Sequence, residues 1–387
     1  NFNLILKEIE MDFYTGLTTI DWIVITVLIG SFLTQMIYTL IVYLKIPLWK
    51  PQPKTKILEG VSVVICAKNE EKNLRELIPI LMEQNHPKFE VIVVNDKSWD
   101  DTKDILKAFQ VSHSNLHCIH LEEDKQQMQG KKFALTLGIK GAKYEHLLLT
   151  DADCRPKTEN WIFEMTSGLN RQDTDICLGF SPYLQEKGLL NALIRFDAFQ
   201  AGMNYLGLSI CGVPYMGVGR NLAYKKELFF KNSGFRSHIH LLSGDDDLFI
   251  NEVAKKKNTT VSLNEDSHTF SFAKATWRDW WLQKKRHLTT ANNYKSFQKV
   301  LLMIWPSSFT LLWFSAIMWM VMHNQFLIAG SILLLRYLIL LVTLHGAMKR
   351  LKQQSLFWIS PLLEGMLWIL NPLLWVSNLL SKPKQWR

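Results

Sequence analysis

The sequence predicts an α/β fold, a sheet of mostly parallel strands covered by helices, flanked by apolar helices long enough to cross a membrane. Three observations carry this reading. Between Val61 and Leu149, short apolar runs of strand length alternate with amphipathic segments of helix length, the rhythm of right-handed strand-helix-strand units. Long stretches without a formal charge lie outside that region. The fully apolar run Leu147-Leu148-Leu149 stops abruptly at Thr150-Asp151-Ala152-Asp153. Two carboxylates therefore stand at the C-terminal end of a buried strand, the edge at which open α/β sheets bind ligands.

With 387 residues, 48% hydrophobic content and 14 Trp, the chain exceeds one ordinary soluble domain, and part of it belongs in lipid. Trp22 to Leu44 and Val300 to Met322 carry no formal charge, and both clear the length of about 20 residues that a spanning helix needs. The first is too long for a signal-peptide core and has no small-residue cleavage site behind it, so it reads as an anchor. Phe326 to Met348 is as long but contains Arg336, whose unpaired charge near mid-span costs at least ~2.5 kcal/mol and demands a partner or a polar cavity. Leu356 to Leu380 offers Glu364 and is interrupted by Pro361 and Pro372, which predicts a broken or re-entrant segment.

The net charge of +9 does not point to nucleic acid, because the basic residues flank the spans: Lys45, Lys50, Lys54 and Lys56 after the first, Lys349, Arg350 and Lys352 after the third. That positive-inside pattern places residues 1–21 outside, a linker over 45–60, and a large domain over 61–299 in the cytoplasm, anchored in the cytoplasmic membrane. Lys382, Lys384 and Arg387 favour a C-terminus on the same side. Five cysteines without a C-x-x-C spacing imply neither a disulfide framework nor a zinc site.

Within the domain, Val61 to Cys66 reads as a buried strand, followed by Ala67, Lys68, Asn69 and Glu70 and a helix with Leu74, Leu77, Ile78 and Leu81 on one face. Val91 to Val94 forms a second strand ending at Asn95-Asp96, which puts Asp96 at the tip where a ligand lies; Asp100 or Asp101 caps the next helix. A strand near Leu116 to Leu121 leads to Gly130-Lys131-Lys132, a helix start whose lysine readily faces phosphate. Asp151 and Asp153, one residue apart on an irregular turn, can share a hard divalent cation and the diphosphate it neutralises. Met216 to Tyr224 supplies glycines for a close backbone approach and donors at Arg220-Asn221. Asp245-Asp246-Asp247 exceeds what capping of the following helix requires, and like charges this close raise at least one pKa, which suits a general base. Trp277, Trp280 and Trp281 fit an interfacial aromatic belt, and the lone His268 is left as structural.

The order of these motifs resembles the family 2 glycosyltransferases over about Val61 to His287. The family shows N-E-x-x-x-L after its first strand, here Asn69-Glu70 with Leu74; D-x-S-x-D-x-T, here Asp96, Ser98, Asp100 and Thr102; and G-K at a helix start, here Gly130-Lys131. The resemblance implies a GT-A-type, Rossmann-like mixed sheet in which Ala67, Glu70, Asp96, Lys131 and Asp151 line a nucleotide-sugar pocket. Asp151 and Asp153 look like its D-x-D, with Asp153 the stronger metal ligand. The family's E-D before x-x-L maps the base onto Asp246, with Asp245 in the glutamate's place. Gln283, Arg286 and His287 resemble the Q-x-x-R-W of processive members on the acceptor or diphosphate side, with histidine where that motif has tryptophan.

What this implies is a membrane-bound, inverting transferase dependent on Mn²⁺ or Mg²⁺. It moves a sugar from a nucleotide diphosphate sugar to a hydroxyl of a glycan or lipid-linked acceptor. A processive polysaccharide synthase is the alternative within the family. A nucleotidyltransferase is disfavoured because Cys66 to Glu70 has no glycine-rich triphosphate loop, and a non-catalytic nucleotide-binding membrane protein is the remaining rival.

Overall fold

The structure, a computed structural model, describes residues 17–51, 59–122, 130–241 and 243–381. Most of the expected N-terminal segment, Lys54 and Lys56 of the expected linker, and Lys382, Lys384 and Arg387 lie outside the described residues. In chain order the elements are α1 (Thr19–Leu48), β1 (Val61–Ala67), α2 (Glu71–Met82), β2 (Phe89–Asp96), α3 (Thr102–Ser112), β3 (Leu116–Leu121), α4 (Lys131–Gly141) and β4 (His146–Leu149). There follow β5 (Cys154–Pro156), α5 (Trp161–Thr166), β6 (Ile176–Gly179), α6 (Leu189–Ile210), β7 (Leu222–Lys225), α7 (Lys226–Lys231) and α8 (Asp247–Val253). The chain ends with β8 (Thr259–Ser262), β9 (Thr269–Ser271), α9 (Trp277–Ala291), α10 (Ser296–His323), α11 (Phe326–Arg350) and α12 (Ser360–Leu380). It divides into two compact units, residues 1–41 with 296–345, and residues 42–295 with 346–387.

The first unit is helical. Its core joins Val24 and Leu28 of α1 to Leu312, Ala316 and Trp319 of α10 and Ala329 and Leu333 of α11. The start of α1 is closed by a reciprocal cap, in which the Thr18 hydroxyl accepts from the Asp21 N–H at 3.3 Å and the Asp21 carboxylate accepts from the Thr18 N–H at 2.7 Å. Deeper in, Gln35 donates to the Trp305 carbonyl at 3.0 Å and to Ser308 Oγ at 2.7 Å. Its own oxygen accepts from Arg336 at 3.0 Å. Arg336 is fully buried, and its guanidinium lies 5.6 Å from the Trp305 ring centre, 4.9 Å from Phe309 and 4.6 Å from Tyr337. The polar surroundings that its position demands thus include an amide oxygen and three ring faces.

Four helices are long and apolar enough to cross a membrane: α1, α10, α11 and α12. Helices α1, α10 and α11 overrun the charge-free stretches because lysine and arginine continue a helix as readily as leucine, so charge marks the apolar slab and not the helix end. Lys45 therefore falls within α1, which reaches Leu48 through a π-helical turn at Thr39–Tyr43, and the expected linker starts later than residue 45. The segment 356–380 is not broken: α12 is one uninterrupted helix, with Pro361 in its first turn, where a missing N–H costs nothing, and Pro372 inside it.

The second unit is built on a seven-stranded sheet of order β3-β2-β1-β4-β7-β6-β8. Strands β3, β2, β1 and β4 run parallel, as their helical crossovers dictate, whereas β7 pairs antiparallel with both β4 and β6. The switch puts the turn before β7 beside the end of β4. Val61, Val63, Ile65, Val91, Val93 and Leu148 bury one face of the sheet against Leu74, Leu77, Ile78 and Leu81 of α2 and Leu106 of α3. Helix α9 lies between the sheet unit and α12: Lys284 bonds Asp197 of α6 at 2.8 Å, while Trp281 and Lys285 bond Ser377 of α12. Of the three tryptophans expected at an interface, Trp280 is buried, Trp281 is spent on Ser377, and Trp277 is exposed.

Replacing Gln35 by Leu removes one acceptor of a buried guanidinium. The variant should lose about 2 kcal/mol in denaturant unfolding in detergent, in line with other hydrogen bonds to buried charges. An unchanged midpoint would show that the Gln35 bond does not hold the guanidinium in place.

Candidate active site

The C-terminal edge of β1, β2 and β4 gathers the predicted residues. Parallel pairing sets Ala67 opposite Asn95, so the two following turns leave the sheet side by side. They are fastened crosswise. The Asn69 N–H donates to Ser98 Oγ at 2.8 Å, the Glu70 N–H to Thr102 Oγ1 at 3.1 Å and the Glu71 N–H to Asp100 Oδ2 at 3.2 Å. In return, the Trp99 N–H donates to Asn69 Oδ1 at 3.0 Å and the Asp101 N–H to Glu71 Oε2 at 3.2 Å. Asn69 and Lys97 adopt left-handed backbone (φ 57° and 56°) to permit this. Asp100 thus caps α2 as well as bonding the Thr102 N–H, and Asp101 caps no helix with its side chain. The clasp leaves Asp96 buried at its strand tip and Glu70 facing the fields of Asp153 and Asp151, where burial raises its carboxyl above the ordinary value.

Lys131 is the centre of the site. Gly130, with φ 102°, turns the chain into α4 and is needed there because other residues avoid that conformation. From the first position of α4 the Lys131 ammonium reaches Asp151 Oδ1 at 2.8 Å and Asp245 Oδ2 at 3.0 Å. Burial works against its charge, but the carboxylates of Asp151, Asp245 and Asp246 outweigh it and hold the ammonium well above the ordinary lysine value. Reciprocally, Lys131 overcomes the effect of burial on Asp245 and holds that carboxyl below its usual range. Lys132 points elsewhere, to the carbonyls of His238 at 2.5 Å and Leu241 at 3.1 Å, and so secures the loop that leads to the aspartates. Burial pushes it down to about 8.

The three adjacent aspartates have three different settings. Asp245 belongs to Lys131. Asp246 caps α8, accepting from the Asp247 N–H at 2.7 Å and, through Oδ2, from the Gly219 N–H at 2.7 Å. A Cβ on Gly219 would stand 3.3 Å from that oxygen, so the glycine-rich turn serves a close approach to Asp246. Burial first, then the charges of Asp245 and Asp247, push the Asp246 carboxyl up to about 7. Asp247 turns away to Thr290 and Tyr294.

Asp153 is raised by burial and by the charge of Asp151 beside it, the kind of crowding that a hard cation relieves. Among the described residues no group of three or more His, Cys, Asp or Glu side chains is arranged to hold a metal ion. Two carboxylates are nevertheless a sufficient protein contribution for a cation that takes its remaining oxygens from substrate phosphates and water, so the donor set fits Mg²⁺ or Mn²⁺.

On the other side, Arg220 sits in the fields of Asp153 and Asp151, donates to Ser271 Oγ at 2.7 Å, and lies 4.4 Å above the Tyr183 ring. The Tyr183 hydroxyl is 3.4 Å from Gln283 Nε2 on α9, which also carries Arg286 and His287. Arg220 and Tyr183 link the surroundings of Asp151 and Asp153 to α9. Sequence reasoning offered Arg220 only as a donor in a turn and passed over Tyr183, because nothing local marks a tyrosine that packs under an arginine 37 positions away. Asn221, offered with Arg220, is spent internally: it binds the carbonyls of Phe180 and Ser267 at 2.8 and 2.7 Å and accepts from Trp161 at 3.0 Å.

Comparison with known proteins bears on the fold. The structure shares its fold with the mannosyltransferase PcManGT from Pyrobaculum calidifontis, at a TM-score of 0.57 and 17% identity over 88% of this chain and 97% of that one. The sheet unit therefore has a GT-A-like fold. Residues 62–229 match the family model Glycosyl transferase family 2. Among curated proteins, glycosyltransferase AglE of Haloferax volcanii is 32% identical over 147 residues, 38% of this chain and 46% of AglE. Probable glycosyltransferase YdaM of Bacillus subtilis is 27% identical over 255 residues, 62% of this chain and 57% of YdaM. The chain thus spans about half the length of these two relatives.

Lys131→Met should destabilise the protein at pH 7 by on the order of 3 kcal/mol, because it strands two largely buried carboxylates. The folded-state pKa of Asp245 is depressed, so its contribution is present above the unfolded carboxylate value and lost as pH falls through the folded one. The gap between variant and wild type in denaturant midpoints should therefore close only below about pH 4. A gap that does not change with pH would contradict the pairing.

Proposed function

We propose that the chain is an inverting, cation-dependent glycosyltransferase that moves a sugar from a nucleotide diphosphate sugar to a hydroxyl of a glycan or lipid-linked acceptor. The observation that carries this is the Lys131 bridge, which sets Asp151 of the D-x-D and Asp245, neighbour of the raised Asp246, about one ammonium apart. Diphosphate and proton acceptor then serve the same anomeric carbon.

Ala67, Glu70 and Asp96 line the nucleotide end. Asp151 and Asp153 are the residues to hold the cation, which supplies charge neutralisation for the departing diphosphate. Lys131 and Arg220 add fixed positive charge on the donor's phosphates. Asp246 takes the proton of the acceptor hydroxyl as that oxygen attacks the anomeric carbon. The bond to the diphosphate breaks with both electrons leaving on the nucleoside diphosphate, and one displacement inverts the configuration. Gln283, Arg286 and His287 of α9 bound the acceptor or diphosphate side. The complex of PcManGT with GDP-Man and Mn²⁺ supports a nucleotide sugar and a divalent cation as partners here. The lysines flanking the spans support a catalytic domain on the cytoplasmic face of the cytoplasmic membrane.

Offering a panel of nucleotide sugars to the detergent-solubilised chain, with and without Mn²⁺ and scored by released nucleotide, tests the reaction class. No release from any donor would leave a binding protein. Asp153→Asn should abolish most cation-dependent affinity for the nucleoside diphosphate in calorimetry; retained affinity would move the metal elsewhere. Asp246→Asn should bind donor normally and lose roughly 10²-fold or more in turnover. In the wild type, turnover should fall as pH drops below about 7, where Asp246 takes up a proton and can no longer act as a base. A profile flat from pH 8 to pH 5 would remove Asp246 from that role.

A further inference from the structure

Asp247 follows the base in sequence, yet its contacts belong to another element. Its Oδ2 accepts from the Thr290 hydroxyl and from Tyr294 Oη at 2.8 Å, and its Oδ1 accepts from the Leu248 N–H at 2.7 Å. Capping does not explain this, because Asp246 already fills the N-cap position of α8. Thr290 is in the last turn of α9 and Tyr294 lies just beyond it, its ring edge-on to Tyr215 at 5.8 Å. The Lys295 N–H adds a bond to Asn251 Oδ1 of α8 at 3.3 Å. The end of α9 is thereby tied to the first turns of α8, and α9 is the helix that carries Gln283, Arg286 and His287.

We infer that Asp247 is a positioning residue with two effects: it docks α9 against the base, and it sets a second negative charge beside Asp246 that favours proton uptake from the acceptor. This rests on the reading of Asp246 as the base. The charged and titratable groups around Asp246 are Asp245 and Asp247 on its own segment, Lys131 and Lys132 from α4, Tyr205 from α6 and Tyr294 after α9. Of these, Asp247 is the carboxylate that hydroxyls of the acceptor-side segment engage, through Thr290 and Tyr294; burial raises its carboxyl and those two bonds offset part of that rise. Docking of α9 and strength of the base are therefore coupled through one side chain.

The test uses the full chain in detergent with Mn²⁺ and hydrolysis of UDP-GlcNAc or GDP-mannose, whichever it turns over, as the probe reaction. Asp247→Asn removes the neighbouring charge, so the acidic limb of the pH profile should move to lower pH by about one unit. Affinity for UDP or GDP should stay unchanged. Amide hydrogen exchange should speed up in the last turn of α9 and not in β1 or β2. Tyr294→Phe keeps the carboxylate but removes one of its donors, and should loosen α9 in the same way while moving the limb less. It also decides the matter if Asp247→Asn does not fold. A limb that coincides with wild type, or unchanged exchange in α9, overturns the inference. Should Asp246→Asn hydrolyse the donor normally, the base assignment itself falls; loss in Asp246→Asn with an unmoved limb in Asp247→Asn overturns only the role given to Asp247.

Discussion

The site depends on one buried ammonium. Lys131 comes from α4, Asp151 from the end of β4 and Asp245 from the loop before α8, and no local force brings those three elements together. Two carboxylates taken out of water repel each other and lose solvation; a cation between them turns that cost into a restraint on where the loop before α8 can lie. The neighbouring Lys132 completes the restraint from the opposite side by holding the carbonyls of His238 and Leu241. Successive residues at a helix start diverge by about 100°, so two adjacent lysines can grip one loop at two places.

The same economy governs the aspartates. Asp245, Asp246 and Asp247 are chemically identical, and their environments separate them: an ammonium lowers the first, burial and like charge raise the second, and hydroxyls engage the third. Different surroundings thus push apart the proton affinities of adjacent, chemically identical carboxyls in one turn. In the helical unit the buried Arg336 donates to an amide oxygen and lies over three aromatic faces.

Between the Asp151–Asp153 turn and α9 runs a line of contacts, Arg220 over Tyr183 and Tyr183 to Gln283. Its arginine lies in the field of the D-x-D, and its glutamine is on α9. With Asp247 at the other end of α9, that helix is held at two points on the C-terminal edge of the sheet, and α12 packs on its outer side through Ser377. An apolar, membrane-length helix therefore abuts the helix that carries Gln283, Arg286 and His287.

Much of this was determined by the sequence alone. Strand-length apolar runs separated by amphipathic helices dictate a parallel sheet, and carboxylates at strand ends must then share its C-terminal edge, so Glu70, Asp96, Asp151 and Asp153 were legible as a cluster. The apolar spans were legible too, because their length follows from bilayer thickness. Their ends were not, since a helix need not stop where lipid does, and neither was the continuity of α12, because proline disrupts a helix only where its N–H and the space behind it are needed. What only the tertiary structure decided is partnership between distant residues: Lys131 with Asp245, Asp247 with Tyr294, Tyr183 with Arg220, and the withdrawal of Asn221 into the core. Spacing along the chain reports which residues share an element. Which element faces which is set by burial of whole faces, and a side chain's chemistry is then fixed by whatever that packing leaves beside it.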